Sequence, residues 1–111
     1  MPREPDVYLS DILTAIGRIR EFTRGIDQAT FLGDTRTIDA VLHNLEVIGE
    51  AAKHVPEEMR LHAPEVEWRK ISGMRDFIAH AYFEVDLAIV WDVVTNKLGP
   101  LCDAIRRIRG R

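Results

Sequence analysis

The sequence has little cysteine, no long apolar run and no excess of positive charge. Each of these absences excludes a class of protein. Its one cysteine, Cys102, excludes an internal disulfide and a cysteine-based metal site. No apolar run approaches the roughly 20 residues of a membrane-spanning helix. Residues 1–5 lack the apolar stretch of a signal peptide, so we expect a cytoplasmic protein that does not associate with membranes.

The charge balance limits how this protein can meet nucleic acid. A formal charge of −3 and a pI near 5.8 argue against a broad basic face. Contact with RNA would therefore need a local cationic site or a second subunit. The length of 111 residues predicts a single domain over residues 1–111, small enough to gain stability from oligomerisation.

Apolar residues recur at three- and four-residue steps along most of the chain, and no strand-like alternation or internal repeat is present. This periodicity predicts an all-α fold, an up-and-down bundle of four to five helices. The main helices are predicted from a cap at Asp6 to Gly25, from a cap at Asp34 to Val55, from Trp68 to about His80–Tyr82, and from a cap at Asp86 to Ile108. Short turns are predicted after a cap at Asp27 and after Pro56.

Glycine and proline suggest two further features. Gly99-Pro100 should kink or split the last helix, because proline has no backbone N–H and crowds the preceding turn. The second main helix is apolar around much of its circumference, so we expect neighbours on more than one side. Gly49 on that helix costs about 1 kcal/mol of helix propensity, but it would allow a neighbouring helix to approach closely.

The side chains that could take part in catalysis are concentrated between positions 73 and 82. This stretch contains Arg75, Asp76, His80 and Tyr82 within eight positions. An arginine binds phosphate through donors that never titrate, and a histidine moves protons near neutral pH, so the pair could cleave a phosphodiester. Taken alone the pair is weak evidence, because a lone histidine at a helix end is more often a cap or a surface group.

Helix geometry restricts how these groups can meet. On a straight helix Arg75 and His80 lie about 7.5 Å apart along the axis and roughly 140° apart around it, whereas Arg75 and Tyr82 share a face. Either the helix unwinds near His80, or two copies meet across a symmetric dimer and build the site together. His80 would then move the protons and Arg75 would stabilise the transition-state charge. Asp76 could orient a side chain, and Tyr82 could donate to phosphate.

Other polar residues leave the assignment open or add nothing to it. Glu50, on the apolar second helix, is either an exposed edge residue or a buried partner of Arg75 or His80. His43, His54 and His62 lack metal-ligand spacing to one another and to His80, so we predict no metal site.

Two blocks of sequence carry a resemblance to a known family. They are residues 44–53 (NLEVIGEAAK) and the series 68–76 (WRKISGMRD), 79–86 (AHAYFEVD) and 89–91 (IVW). Together they closely resemble the HepT-like (DUF86) branch of the HEPN superfamily, whose motif is Arg, four residues, His, one residue, Tyr. Arg75, His80 and Tyr82 complete that motif here, and Asp76 stands where many relatives carry Asn or Asp.

The resemblance implies an all-α bundle that forms a homodimer. It also implies a metal-independent endoribonuclease toxin of a type VII-like toxin–antitoxin system, with Arg75 and His80 catalytic at a dimer cleft and no cofactor. A minimal nucleotidyltransferase antitoxin would neutralise it by transferring AMP from ATP to Tyr82. The alternative is a non-catalytic helical dimer that binds a nucleotide or a protein partner.

Overall fold

Residues 4–111, which the computed structural model describes, form helices and turns, with no strand in that range. The helices are α1 (Pro5–Thr23), α2 (Gln28–Leu32), α3 (Thr35–Lys53), α4 (Glu57–Arg60), α5 (Trp68–Ala81), α6 (Leu87–Asp92) and α7 (Leu98–Arg109). A 3-10 turn, Tyr82–Glu84, follows α5, and a π-helical turn, Val93–Lys97, joins α6 to α7. The predicted all-α fold is confirmed. Residues 1–3 lie outside the described range. They belong to the predicted domain and to the N-terminal stretch in which no signal peptide is predicted.

Three of the predicted aspartate caps begin helices as expected. Asp27 accepts a hydrogen bond from the backbone N–H of Thr30 at 2.8 Å, and Asp34 accepts one from Thr37 at 3.1 Å. Asp86 caps α6 in the same way. Each carboxylate satisfies a backbone donor that has no partner within the first helical turn, which explains why these helices begin where they do.

The predicted cap at Asp6 is wrong. Helix α1 already begins at Pro5, and its N-cap is Glu4, whose side chain makes no capping hydrogen bond. Proline at the first helical position has the required φ and lacks only an N–H that would be unpaired there, so the helix starts without a side-chain cap. Asp6 lies inside the first turn, where its negative charge is favourable to the helix dipole.

The predicted break in the last helix is present as a π-helical turn. The backbone N–H of Leu98 donates to the carbonyl of Val93, five residues back instead of four. Pro100 has no N–H to offer the carbonyl of Asn96, so the regular ladder cannot continue unchanged across this region. The irregularity therefore falls just before Pro100, and α7 runs through the proline.

Helix α3 lies between α1 and α5, and α7 packs on α1. The central position of α3 confirms the expectation that its wide apolar surface is covered on more than one side. The largest fully buried side chains are Leu9, Ile12, Ile16, Ile19, Phe31, Val41, Ile48, Leu98, Ile105 and Ile108. Within residues 4–111, no helix combines the length and the apolar character needed to cross a membrane.

The contact between α3 and α5 depends on Gly49. A Cβ atom placed on this glycine would lie 2.8 Å from the backbone N of Arg75, 2.9 Å from the carbonyl O of Ile71 and 3.3 Å from the Cβ of Arg75. The first two distances are shorter than a Cβ atom tolerates, and both of those atoms belong to backbone. The expected close approach is confirmed, and it places the backbone of Arg75 directly against α3.

A second set of contacts fixes the ends of the same two helices. Arg60 donates to the carbonyls of Ala52 and Val55 at 2.8 and 2.9 Å, which pairs acceptors at the C-terminal end of α3. Its guanidinium lies 5.4 Å from the ring centre of Trp68, the first residue of α5, and the Trp68 indole N–H donates to Ala63. The end of α3 is thus tied to the beginning of α5.

We expect Gly49→Ala to lower the free energy of unfolding by about 1–3 kcal/mol, because the added methyl group overpacks the α3–α5 contact. This loss should exceed the gain of up to about 1 kcal/mol that alanine brings to a helix interior. Gly17→Ala is the matched control, since a Cβ at that position of α1 meets no atom within 4 Å. Chemical denaturation followed by circular dichroism measures the free energy of unfolding of both variants. Equal stability of the two would show that a methyl group at position 49 does not overpack the α3–α5 contact.

Candidate active site

Helix α5 and the facing part of α3 bring four charged side chains together. Arg75 Nη1 lies 3.1 Å from Asp76 Oδ1, and Arg75 Nε lies 3.6 Å from Glu50 Oε2. Lys53 Nζ donates to Asp76 Oδ2 at 3.2 Å and lies 3.9 Å from Glu50 Oε2. We call Glu50, Lys53, Arg75 and Asp76 the charge cluster. Its two cations and two carboxylates alternate, so each cation lies beside both carboxylates.

The charge cluster is at the surface: about half of the Glu50, Arg75 and Asp76 side chains and a third of the Lys53 side chain are exposed. Ion pairs of this kind add little to the free energy of unfolding, because water screens them and ordering the side chains costs entropy. Their effect is to fix where the guanidinium of Arg75 lies. For Glu50 the alternatives are an exposed edge residue or a buried partner of Arg75 or His80. The structure combines parts of both, because Glu50 pairs with Arg75 while 51 % of its side chain is exposed.

Two hydrogen bonds lower the pKa of Asp76 below its ordinary value of 3.8. The bond from Lys53 has the larger effect and the bond from Arg75 the smaller. A carboxyl group whose pKa is lower in the folded than in the unfolded state stabilises the fold above the unfolded-state value. That stabilisation is lost as the pH falls through the lowered folded-state pKa. The ion pairs of Asp76 are therefore present at neutral pH and are lost only in acid, below pH 3.8.

His80 is exposed near the end of α5, and its ring orientation is fixed by the backbone. Its Nδ1 lies 2.8 Å from the carbonyl oxygen of Asp76. A carbonyl can only accept, so Nδ1 carries the hydrogen and donates, which leaves Nε2 with the lone pair in the neutral ring. Asp76 thus orients both predicted catalytic residues, Arg75 through its carboxylate and His80 through its carbonyl.

The structure decides between the two geometric alternatives only in part. Helix α5 includes His80 and ends at Ala81, so it does not unwind at His80. Its backbone leaves the helical conformation at Ala81 (φ −125°, ψ 32°), and the 3-10 turn begins at Tyr82. Arg75 and His80 therefore stay roughly 140° apart around one helix. Convergence of the two across a symmetric dimer remains a prediction.

Tyr82 reaches α3, as Arg75 does. Its hydroxyl donates a short hydrogen bond to Oδ1 of Asp39, and 40 % of the residue is exposed. Asp39 and Glu50 lie eleven positions apart, about three helical turns, on the face of α3 that meets α5. Tyr82 and Arg75, seven positions apart, thus contact one side of the same neighbour, as their spacing predicts.

Two residues of this region were not predicted from the sequence, Lys53 and Asp39. Lys53 follows Glu50 by three positions, which places it on the same side of α3, but nothing local shows that it opposes Asp76. Asp39 belongs to no motif. The antiparallel register that Gly49 imposes on α3 and α5 is the only signal that could have paired Asp39 with Tyr82.

The remaining histidines do not assemble into a metal site. In the described part of the chain, no group of three His, Cys, Asp or Glu side chains is placed to hold a metal ion. His54 instead stacks on Tyr8 at 4.7 Å between ring centres, with its Nε2 3.5 Å from Glu50. That the chemistry needs no metal stays a prediction.

Residues 12–108 match the sequence model of the family described as ribonuclease HepT-like. The chain belongs to this family. A relative in Thermococcus cleftensis named "Probable ribonuclease HepT" is 41 % identical over 109 residues, which span 98 % of this chain and 99 % of that protein. "Putative RNase TTE0752" of Caldanaerobacter subterraneus subsp. tengcongensis is 34 % identical over 96 % of this chain and 95 % of its own length. No solved structure matches the chain.

Membership of the HepT-like family confirms the resemblance drawn from the two sequence blocks. Another relative, "Putative RNase MJ0127" of Methanocaldococcus jannaschii, is 41 % identical over 82 % of this chain and 75 % of its own length. The all-helical architecture is that of a HEPN-like fold.

We expect Lys53→Gln to raise the pKa of Asp76 toward its ordinary value, because the hydrogen bond that lowers this pKa most comes from Lys53. Lys70→Gln is the matched control, since Lys70 pairs with Glu67 and lowers the pKa of that group instead. NMR titration of the side-chain carboxyl carbons measures both groups. An unchanged pKa of Asp76 in Lys53→Gln would show that the charge cluster does not form in solution.

Proposed function

We propose that this chain is a metal-independent endoribonuclease toxin in which Arg75 and His80 are the catalytic residues. The observation that carries the proposal is the double role of Asp76, whose carboxylate holds the exposed Arg75 and whose backbone carbonyl orients the exposed His80. Membership of the ribonuclease HepT-like family and the ribonuclease names of its relatives support RNA as the substrate.

The orientation of His80 fits proton transfer. In the neutral ring Nε2 can take the proton of a ribose 2′-hydroxyl, whose oxygen then attacks the neighbouring phosphorus while the bond to the 5′-oxygen breaks. A protonated histidine can give the leaving 5′-oxygen its proton. Arg75 would stabilise the added negative charge on the phosphate through its forked donors.

The charge cluster limits how phosphate can bind. Arg75 and Lys53 are both neutralised by Glu50 and Asp76 in the free protein, so an incoming phosphate must compete with these carboxylates. Lys53 then supplies a second cation beside the phosphate. This arrangement gives an acidic protein a cationic site that is confined to one place.

A homodimer would complete the site. In a symmetric dimer, the His80 of one copy would act beside the Arg75 of the other. Two exposed aromatic residues support a dimer at this face: Phe77 on α5 is 57 % exposed and Phe83 is 97 % exposed, and they flank His80 in the sequence. Large exposed apolar side chains of this kind mark surfaces that another protein covers.

The proposal extends to regulation in the cytoplasm. A minimal nucleotidyltransferase antitoxin would transfer AMP from ATP to the hydroxyl of Tyr82, which lies two residues from His80 and is partly exposed. The adduct adds bulk and negative charge beside the catalytic face, and both oppose the binding of RNA.

We expect His80→Ala and Arg75→Ala each to reduce RNA cleavage by about 100-fold or more, because each removes a group that acts on the transition state. The assay is cleavage of total RNA by purified protein in the presence of a chelator. His62→Ala and Arg69→Ala, exposed positions outside the charge cluster, are the matched controls and should cleave normally. Undiminished cleavage by either catalytic variant, or no cleavage by the wild type, would reject the proposal.

We expect mixing of Arg75→Ala with His80→Ala to restore cleavage if the two groups of one site come from different copies. Half of the randomly assorted dimers are heterodimers, and each carries one intact site of two, so about a quarter of the wild-type rate should return. The mixture must first be unfolded and refolded to exchange chains, with each variant alone as control. A dimer by light scattering without any recovery would place both groups of a site on one chain, and a monomer would exclude the composite site.

A further inference from the structure

The hydroxyl of Tyr82 is bound by a residue outside the family motif. It donates to Oδ1 of Asp39, which lies on α3, 43 positions earlier in the chain. We propose that Asp39 positions the Tyr82 hydroxyl and accepts its proton when that oxygen attacks the α-phosphorus of a nucleoside triphosphate. This inference rests on the proposed regulation of Tyr82.

The chemistry of a phenol makes such a base necessary. A phenol is protonated at neutral pH and is a weak nucleophile until an adjacent base removes its proton. Asp39 is an exposed carboxylate and already accepts the hydrogen that must leave. The partner enzyme would therefore need to supply only the activated phosphate, correctly placed.

The surroundings of the hydroxyl leave room for the reaction. A shallow pocket of about 290 Å³ opens beside Tyr82 and Asp39, between α3 and the 3-10 turn. Its walls include the apolar side chains of Leu32, Leu42 and Leu87. The hydroxyl is thus held on the α3 side by Asp39, and a phosphate delivered by a partner protein can approach through the open pocket.

The transfer step balances with these groups alone. Tyr82 Oη forms a bond to the α-phosphorus, the bond between that phosphorus and the bridging oxygen to the β-phosphorus breaks, and pyrophosphate leaves. The proton of the hydroxyl passes to Asp39. The modified oxygen can no longer donate, and the new phosphate lies beside the Asp39 carboxylate, so the contact between α3 and the 3-10 turn is lost.

The test compares the wild type with Asp39→Asn, Asp39→Glu and Asp103→Asn. The last removes the same charge from an exposed position on α7. Each is incubated with magnesium ATP and a purified minimal nucleotidyltransferase, and AMP on Tyr82 is measured by peptide mass spectrometry. We expect Asp39→Asn to slow transfer by about 100-fold at neutral pH, with a rate that rises more steeply with pH than that of the wild type. Asp39→Glu should recover part of the rate, and Asp103→Asn all of it.

A chemical probe separates failure of the inference from failure of the proposed function. N-acetylimidazole acylates tyrosine hydroxyls, and Tyr8, the only other tyrosine, serves as the internal reference. We expect Tyr82 to be acylated faster, relative to Tyr8, in the wild type than in Asp39→Asn. Equal AMP transfer to both proteins would overturn the role of Asp39 and leave the ribonuclease proposal intact. No transfer to the wild type, with the acylation difference present, would overturn the AMP regulation and retain Asp39 as the residue that activates Tyr82.

Discussion

The contact of two helix backbones at Gly49 is the constraint on which the rest of the site depends. The absent side chain lets α5 pass so close to α3 that the backbone of Arg75 lies where a Cβ would be. This one contact sets the register of the two helices. Arg75 then falls beside Glu50, Asp76 beside Lys53, and Tyr82 beside Asp39. The bond network of Arg60 around Trp68 fixes the same pair of helices at their connected ends.

Asp76 links that register to chemistry. Its carboxylate is shared by Lys53 and Arg75, and its backbone carbonyl binds the ring of His80. A single residue therefore determines both the place of the guanidinium that we propose binds phosphate and the tautomer of the ring that we propose transfers protons. The opposing carboxylates keep the cluster close to neutral, which would reconcile an acidic protein with the proposed binding of RNA phosphate there. Binding energy at such a site comes from exchanging one anion for another, and so depends on geometry as much as on charge.

Local signals account for what the sequence predicted correctly. Apolar periodicity gave the helices, and the caps at Asp27, Asp34 and Asp86 and the break before Pro100 need only a few neighbouring residues. The error at Asp6 was local too, because Pro5 removes the need for a cap. The site was predicted only in part. Arg75, His80 and Tyr82 form a recognisable motif, whereas Lys53 and Asp39 gain their partners through the packing of two helices, which one-dimensional spacing does not record.

The antiparallel register of α3 and α5 also limits where related sequences can gain or lose residues. Each inserted residue turns the following part of a helix by about 100° and advances it by about 1.5 Å. An insertion or deletion between Asp39 and Lys53, or between Ile71 and Tyr82, would therefore separate several of the matched pairs at once, even if every motif residue were kept. Residues 24–34, which connect α1 to α3, contain none of these matched pairs. Sequences that share the architecture should accordingly vary in length in that connection and keep a fixed count along the two paired helices.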